Sequence, residues 1–166
     1  MSSYMIGFDI NERYSQISFY SEEMQEPQTV ETATDNYQLP IAIALKDGIW
    51  YVGNDAKRQK VVKNAIYADD LFVKAVNREK ILFGEEQKDA MWLLAKYVEI
   101  SLNRFEDIRQ IVFTVPKITM EIGKMLKGVG QRAGISKNQI YVQDYKESFC
   151  SYMLYQPKEL WQYEAA

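Results

Sequence analysis

The sequence predicts an α/β domain: a mixed sheet with flanking helices and a small inserted ββα subdomain. Three observations carry that expectation. The N-terminal half reads as strands that fold back on one another. The C-terminal half alternates helix and strand. The chain has 166 residues, 47% hydrophobic and 26% charged, which suits one globular domain with a real core. Antiparallel hairpins extended by parallel βαβ strands give a mixed sheet with helices packed on it. The right-handed crossover rule fixes how the later helices join their strands.

The first strand is Tyr4 to Phe8, near-continuously apolar and ended by Asp9, a pattern expected of a central strand covered on both faces. Ser15 to Tyr20 returns as a hairpin arm, and Gln28 to Thr32 closes a meander. Pro40 opens a new strand, Ile41 to Leu45, and Lys46-Asp47-Gly48 turns it back into Ile49 to Gly53. Asn54 or Asp55 is expected to cap a helix to about Asn64, with Val61 and Val62 on its apolar face. Leu71 to Val76 reads as a short strand. Glu85 to Phe105 reads as the clearest helix, with Glu85, Glu86 and Asp89 in its first turns. Arg109 to Val115 is a buried-type strand. Thr119 caps a helix that Gly134 stops. Gln139 to Gln143 is a strand ending in Asp144. Tyr145 to Gln156 follows as a helix with Phe149, Tyr152 and Met153 inward and Cys150 in the core. Leu160 to Glu164 has the apolar rhythm of a further strand.

Composition narrows the chemistry. The chain has no histidine, which removes Ser-His and Cys-His nucleophile pairs and His-containing zinc sites. A single cysteine excludes an intrachain disulfide and fits a reducing cytoplasm. The net charge of -3 and the lack of a dense Lys/Arg block argue against nucleic acid. No apolar run reaches the roughly 18 residues of a membrane span, and no signal peptide is visible. Carboxylates, lysines, hydroxyls or a bound Mg²⁺ are left to carry any chemistry. A carboxylate at a strand end, such as Asp9, stands where ligands meet a sheet. Its alternative is a turn former.

Four stretches, in order, resemble the first half of the nucleotide-binding domain of DnaK-type heat-shock chaperones, within the actin-like ATPases. They are IGFDI at Ile6 to Ile10, LPIAIALKDGIWYVGNDAKRQK at Leu39 to Lys60, VFTVPKITMEIGKMLKGVGQRAG at Val112 to Gly134, and IYVQDYKESFCSYML at Ile140 to Leu154. The resemblance implies an RNase-H-like sheet of one actin-type lobe spanning 1–166, with 40–79 as a peripheral ββα insert. It implies that Asp9 acts through water on the Mg²⁺ of bound ATP, with Asn11 and Arg13 in the phosphate turn. Lys74 falls where the family has its catalytic lysine. Asp144 falls on a water-positioning glutamate.

The departures bear on function. Where the family's phosphate loop is Leu-Gly-Thr-Thr, this chain has Ile10-Asn11-Glu12-Arg13. Glycine admits phosphate to the backbone and hydroxyls donate to it. Glu12 brings a like charge, which at ~4 Å costs about 4 kcal/mol at an effective dielectric near 20. Arg13 is the candidate compensation, by reaching a phosphate, and Asn11 is the candidate for a left-handed turn. The family's second phosphate loop and adenosine site belong to its second half. The expected function is therefore the N-terminal lobe of a divergent actin- or chaperone-like protein. Its ATP and Mg²⁺ binding would be weak or degenerate in a full-length parent, and the lobe would be inactive alone. Its partner would be a second lobe or another protein. The alternative is a stand-alone protein-protein interaction module, suggested by 12 Tyr and 3 Trp, with Tyr155, Trp161 and Tyr163 near the tail. A nuclease would need a third converging acid beside Asp9 and Asp144.

Overall fold

The structure, a computed structural model, describes residues 2–155. The elements in chain order are β1 (Tyr4–Ile10), β2 (Tyr14–Tyr20), β3 (Gln28–Thr29), β4 (Leu39–Pro40), β5 (Ala42–Lys46), β6 (Ile49–Val52) and α1 (Gly53–Gln59). There follow β7 (Ile66–Asp69), α2 (Leu71–Val76), β8 (Lys80–Phe83), β9 (Glu86–Asp89) and α3 (Ala90–Leu102). The chain then forms β10 (Ile108–Val115), α4 (Met120–Arg132), a 3-10 turn (Lys137–Gln139), β11 (Ile140–Asp144) and α5 (Tyr145–Tyr155).

The main sheet runs β11-β10-β1-β2-β3, with β4 pairing onto β2. β1, β10 and β11 are parallel, and β2 is antiparallel to β1. The protein is thus α/β, with a mixed sheet and flanking helices. One face of the sheet carries Ile6, Phe8, Ile10, Ile17, Ile111, Phe113 and Val115, all buried. Against it pack Leu93, Leu94, Tyr97 and Val98 of α3 and Met125, Leu126 and Val129 of α4. The period-2 alternation of β1 and β10 and the three-to-four spacing of α3 and α4 meet in this one core. Tyr97 is fully buried, and its hydroxyl joins Ser15 Oγ at 2.6 Å and donates to the Leu39 carbonyl at 3.1 Å. That pins α3 to β2 and β4.

Between β4 and α3 lies a separate three-stranded sheet, β6-β5-β7, carrying α1, and a β8–β9 hairpin. The β5–β6 turn forms where expected. Asp47 and Gly48 have φ of 49° and 75°, the two left-handed residues that a tight twisted hairpin requires.

Several expectations are corrected. β1 is covered on one face only: Met5, Gly7 and Asp9 alternate onto a face that stays partly open among the described residues. α1 starts at Gly53 after Val52, with neither Asn54 nor Asp55 as its cap, and stops at Gln59. Val61 lies beyond it, 89% exposed. β3 stops at Thr29. Leu71 to Val76 is a helix, because Leu71, Phe72 and Ala75 bury one helical face; a six-residue apolar run fits either period. The strand there is the preceding β7, held by pairing with β5. Glu85 and Glu86 sit in the β8–β9 hairpin, and the helix begins only at Ala90, after Asp89. Phe149 points outward, 63% exposed, and Cys150 is exposed as well. The expected inward Tyr152 and the contributions of Tyr155, Trp161, Tyr163 and the Leu160 to Glu164 strand lie outside the described side chains.

By contrast, Thr119 caps α4, its Oγ1 accepting the Ile122 N–H at 3.2 Å. No helix among the described residues is long and apolar enough to cross a membrane.

Candidate functional site

Because Ile6, Phe8 and Ile10 are committed to the core, Gly7 and Asp9 must face the other way. The same alternation sends Val112 and Thr114 of β10 outward between Ile111, Phe113 and Val115. Register then aligns the outward residues in rows. Asp9 lies opposite Gln16 on β2 and Thr114 on β10, and Thr114 opposite Gln143 on β11. The row Gln16–Asp9–Thr114–Gln143 crosses the sheet toward the C-terminal ends of its parallel strands, where open α/β sheets meet ligands. The next row is Ser18–Gly7–Val112–Tyr141. A Cβ on Gly7 would stand 2.5 Å from Ser18 Oγ, so the bare glycine is what lets that hydroxyl lie over β1.

These rows floor a groove of about 640 Å³, walled by Tyr145, Ser148 and Phe149 of α5. Asp144 Oδ1 accepts the Glu147 N–H at 3.0 Å, which starts α5 directly from the end of β11. Tyr145, the first residue of α5, then donates its hydroxyl to Asp9 Oδ1 at 2.8 Å. Burial pushes the Asp9 carboxyl above its ordinary range, and the Tyr145 hydrogen bond partly offsets this. Burial likewise raises the Tyr145 phenol, and the adjacent Asp9 carboxylate raises it further. Gln143 donates its amide to Thr114 Oγ1 at 3.4 Å.

Of the five residues singled out by sequence, Asp9 and Asn11 meet at the Tyr145 hydroxyl, and Arg13, Lys74 and Asp144 do not join them. Asp9 lies in the groove. Asn11 does not adopt a positive φ; it closes the β1–β2 turn, its Oδ1 accepting the N–H groups of Arg13 and Tyr14 at 2.8 and 2.9 Å. Arg13 has an exposed side chain, and its carbonyl accepts the Ile41 N–H at 3.0 Å. Lys74 lies on α2 and donates to the Asp69 carbonyl at 3.1 Å, outside the groove. Asp144 serves α5 as described. Sequence reasoning missed Gln16, Thr114, Gln143 and Tyr145. Thr114 and Gln143 are polar residues near the ends of largely apolar strands, which was their signal, whereas Gln16 and Tyr145 gave none.

The residues present do not fit Mg²⁺-ATP. Of the turn amides, those of Arg13 and Tyr14 are taken by Asn11 Oδ1 and that of Asn11 by the Tyr14 carbonyl. Among the described residues the groove lining contains one carboxylate and no lysine or arginine. Among the described residues, no three potential metal ligands of the His, Cys, Asp or Glu type come together. A second hollow of about 370 Å³ lies on the helix side, among Arg78, Glu79, Asp89, Glu121 and Lys124. Its charges are all exposed and of both signs, so it presents no directed chemistry.

No curated protein matches the chain. Residues 26–166 match the C-terminal part of a family of unknown function, DUF5716. The match takes in β3 to α5, including Thr114, Gln143 and Tyr145, while β1 and β2, with Asp9 and Gln16, precede it. With most of its length inside that match, the chain belongs to the DUF5716 family.

Proposed function

We propose that the chain is a non-hydrolysing binding lobe of RNase-H-like, actin- and chaperone-type architecture, whose open sheet face is completed by a second lobe or a protein partner. The strand order supports the architecture: three antiparallel strands at one side, two parallel strands added at the other, and helices α3 and α4 on the core face. So does the small sheet inserted between β4 and α3. The observation that carries the function is the β1–β2 turn. Asn11 Oδ1 occupies the N–H groups of Arg13 and Tyr14, and the Asn11 N–H goes to the Tyr14 carbonyl, so the turn offers a phosphate no nest of successive free amides. Asp9, in turn, is held by Tyr145. Residual nucleotide affinity in a longer parent would have to come from elsewhere.

The test is calorimetric titration of the purified chain with Mg²⁺-ATP, alongside a phosphate-release assay. The expected result is neither saturable binding below millimolar nucleotide nor turnover above the background without protein. Turnover that needs Mg²⁺ and disappears in Asp9→Ala would overturn the proposal.

The interaction-module reading has its own observation. Tyr141, Phe149 and Leu154 are 52, 63 and 73% exposed at this end of the molecule. Exposed large side chains on two elements that touch, β11 and α5, suit a surface that another protein covers.

A further inference from the structure

We infer that the groove beneath α5 binds a cationic N–H donor, an ammonium or guanidinium group, through Asp9. This rests on reading the Asp9 face as a binding surface rather than a catalytic one, and it names the chemistry which that surface takes.

The starting point is what already reaches Asp9. Tyr145 spends its only hydroxyl proton on Asp9, and the Asn11 side chain bonds the phenol oxygen in turn. Gln143 directs one amide N–H into Thr114, so the neutral groups of the lining keep both donors and acceptors. The second oxygen of Asp9 is an acceptor in any ionised state. Neutral groups thus supply Asp9 with one hydrogen bond, from Tyr145, and its second oxygen carries no cationic partner among the described residues.

Charge points the same way. The lining holds one carboxylate and no basic side chain, and Asp9 makes no ion pair among the described residues. A half-buried carboxylate in such surroundings has lost part of its hydration without gaining a counter-charge. An anionic ligand would meet repulsion, and a neutral polyol would leave that charge uncompensated. A cation with several N–H groups answers the charge of Asp9 and can bond its second oxygen and the neutral acceptors beside it. Phe149 and Tyr145 on the α5 wall add ring faces suited to a cation. The groove's volume of about 640 Å³ admits such a group together with the chain that bears it.

The group could be borne by a free amine or by a lysine or arginine of a protein, and the experiment separates them. Calorimetry at low salt would compare agmatine and spermidine with a capped Gly-Gly-Arg-Gly-Gly peptide, using maltose and Mg²⁺-ATP as neutral and anionic probes. The expected result is binding of the cationic probes, weakened at least tenfold by Asp9→Asn and several-fold by 0.5 M salt. Tighter binding of the peptide assigns the group to a protein partner, and tighter binding of agmatine or spermidine to a free amine. Asp9→Asn keeps the shape of the side chain. Phe149→Ala, at an exposed position, gives a second fold-safe variant and should weaken the cationic probes about threefold. Maltose binding unchanged by Asp9→Asn, or no binding of any cationic probe, would overturn this inference and leave the non-hydrolysing lobe standing. Mg²⁺-ATP turnover with intact cation binding would do the reverse.

Discussion

The two faces of the central sheet are made from the same strands, residue by alternate residue, yet they obey different rules. On the covered face, Phe8 and Phe113 pack with ring centroids 5.4 Å apart, both fully buried. On the open face, the neighbours Asp9 and Thr114 lie in register beside a groove. One face holds the fold together, and the other presents polar groups to whatever approaches. The difference assigns packing to one set of alternate residues along β1 and β10 and leaves polar groups among the other.

That separation is easiest to break at β10. Phe113→Ala should cost about 3–5 kcal/mol, read from urea unfolding midpoints, whereas Thr114→Ala should stay within about 0.5 kcal/mol. Comparable losses at the two positions would mean that the faces are not distinct. Next in size is Tyr97→Phe. It removes a buried hydroxyl shared with Ser15 and Leu39 and leaves the buried Ser15 short of a partner, at a cost of about 2 kcal/mol. Since Tyr97 lies on the covered side, ligand binding in the groove should not change.

Gly7→Ala sharpens the comparison from the open side. The new methyl would crowd Ser18 Oγ and should lower stability by about 1 kcal/mol. Adding Ser18→Ala should restore most of it, a pattern that a double-mutant cycle reads directly. Restoration would place the whole cost in that one contact.

The smallest effect belongs to Asp9. Burial raises its carboxyl in the folded state, so the folded protein favours the protonated form. The stability this gives is present below the unfolded value of 3.8 and is lost as pH rises through the folded value. Ionised Asp9 is thus a mild cost at pH 7. Asp9→Asn should leave Tm unchanged or raise it by no more than about 3 °C at pH 7, with the difference vanishing below pH 4. A clear fall in Tm at pH 7 would mean that Asp9 has a structural role.

Much of the covered face could be read in the sequence, because apolar periodicity is local. Ile6, Phe8, Ile111 and Phe113 announce their strands, and Met125, Leu126 and Val129 announce α4. The open face was less legible because its row joins residues far apart in the chain. Asp9 meets Tyr145 across 136 residues, and no local pattern records that pairing. Leu71 to Val76 failed for a different reason: the run is too short for its period to show, and pairing of β7 with β5 takes the strand's place. The Glu85 to Phe105 helix was read too long because acids suit a helix start as well as a polar hairpin, and Gly84 turns the chain there with φ of 70°. Asn11 was read as a ligand-facing residue because its side chain's hold on the Arg13 and Tyr14 amides is a matter of rotamer, not of spacing.

The most direct test of the division between the faces is to follow backbone amide chemical shifts during parallel titrations with agmatine and with Mg²⁺-ATP. The account predicts that agmatine moves Gln16, Asp9, Thr114, Gln143 and Tyr145 while Ile6, Phe8 and Phe113 stay fixed, and that Mg²⁺-ATP moves none of these. Shifts from Mg²⁺-ATP centred on Asn11 to Arg13 and Asp9, with none from agmatine, would contradict it.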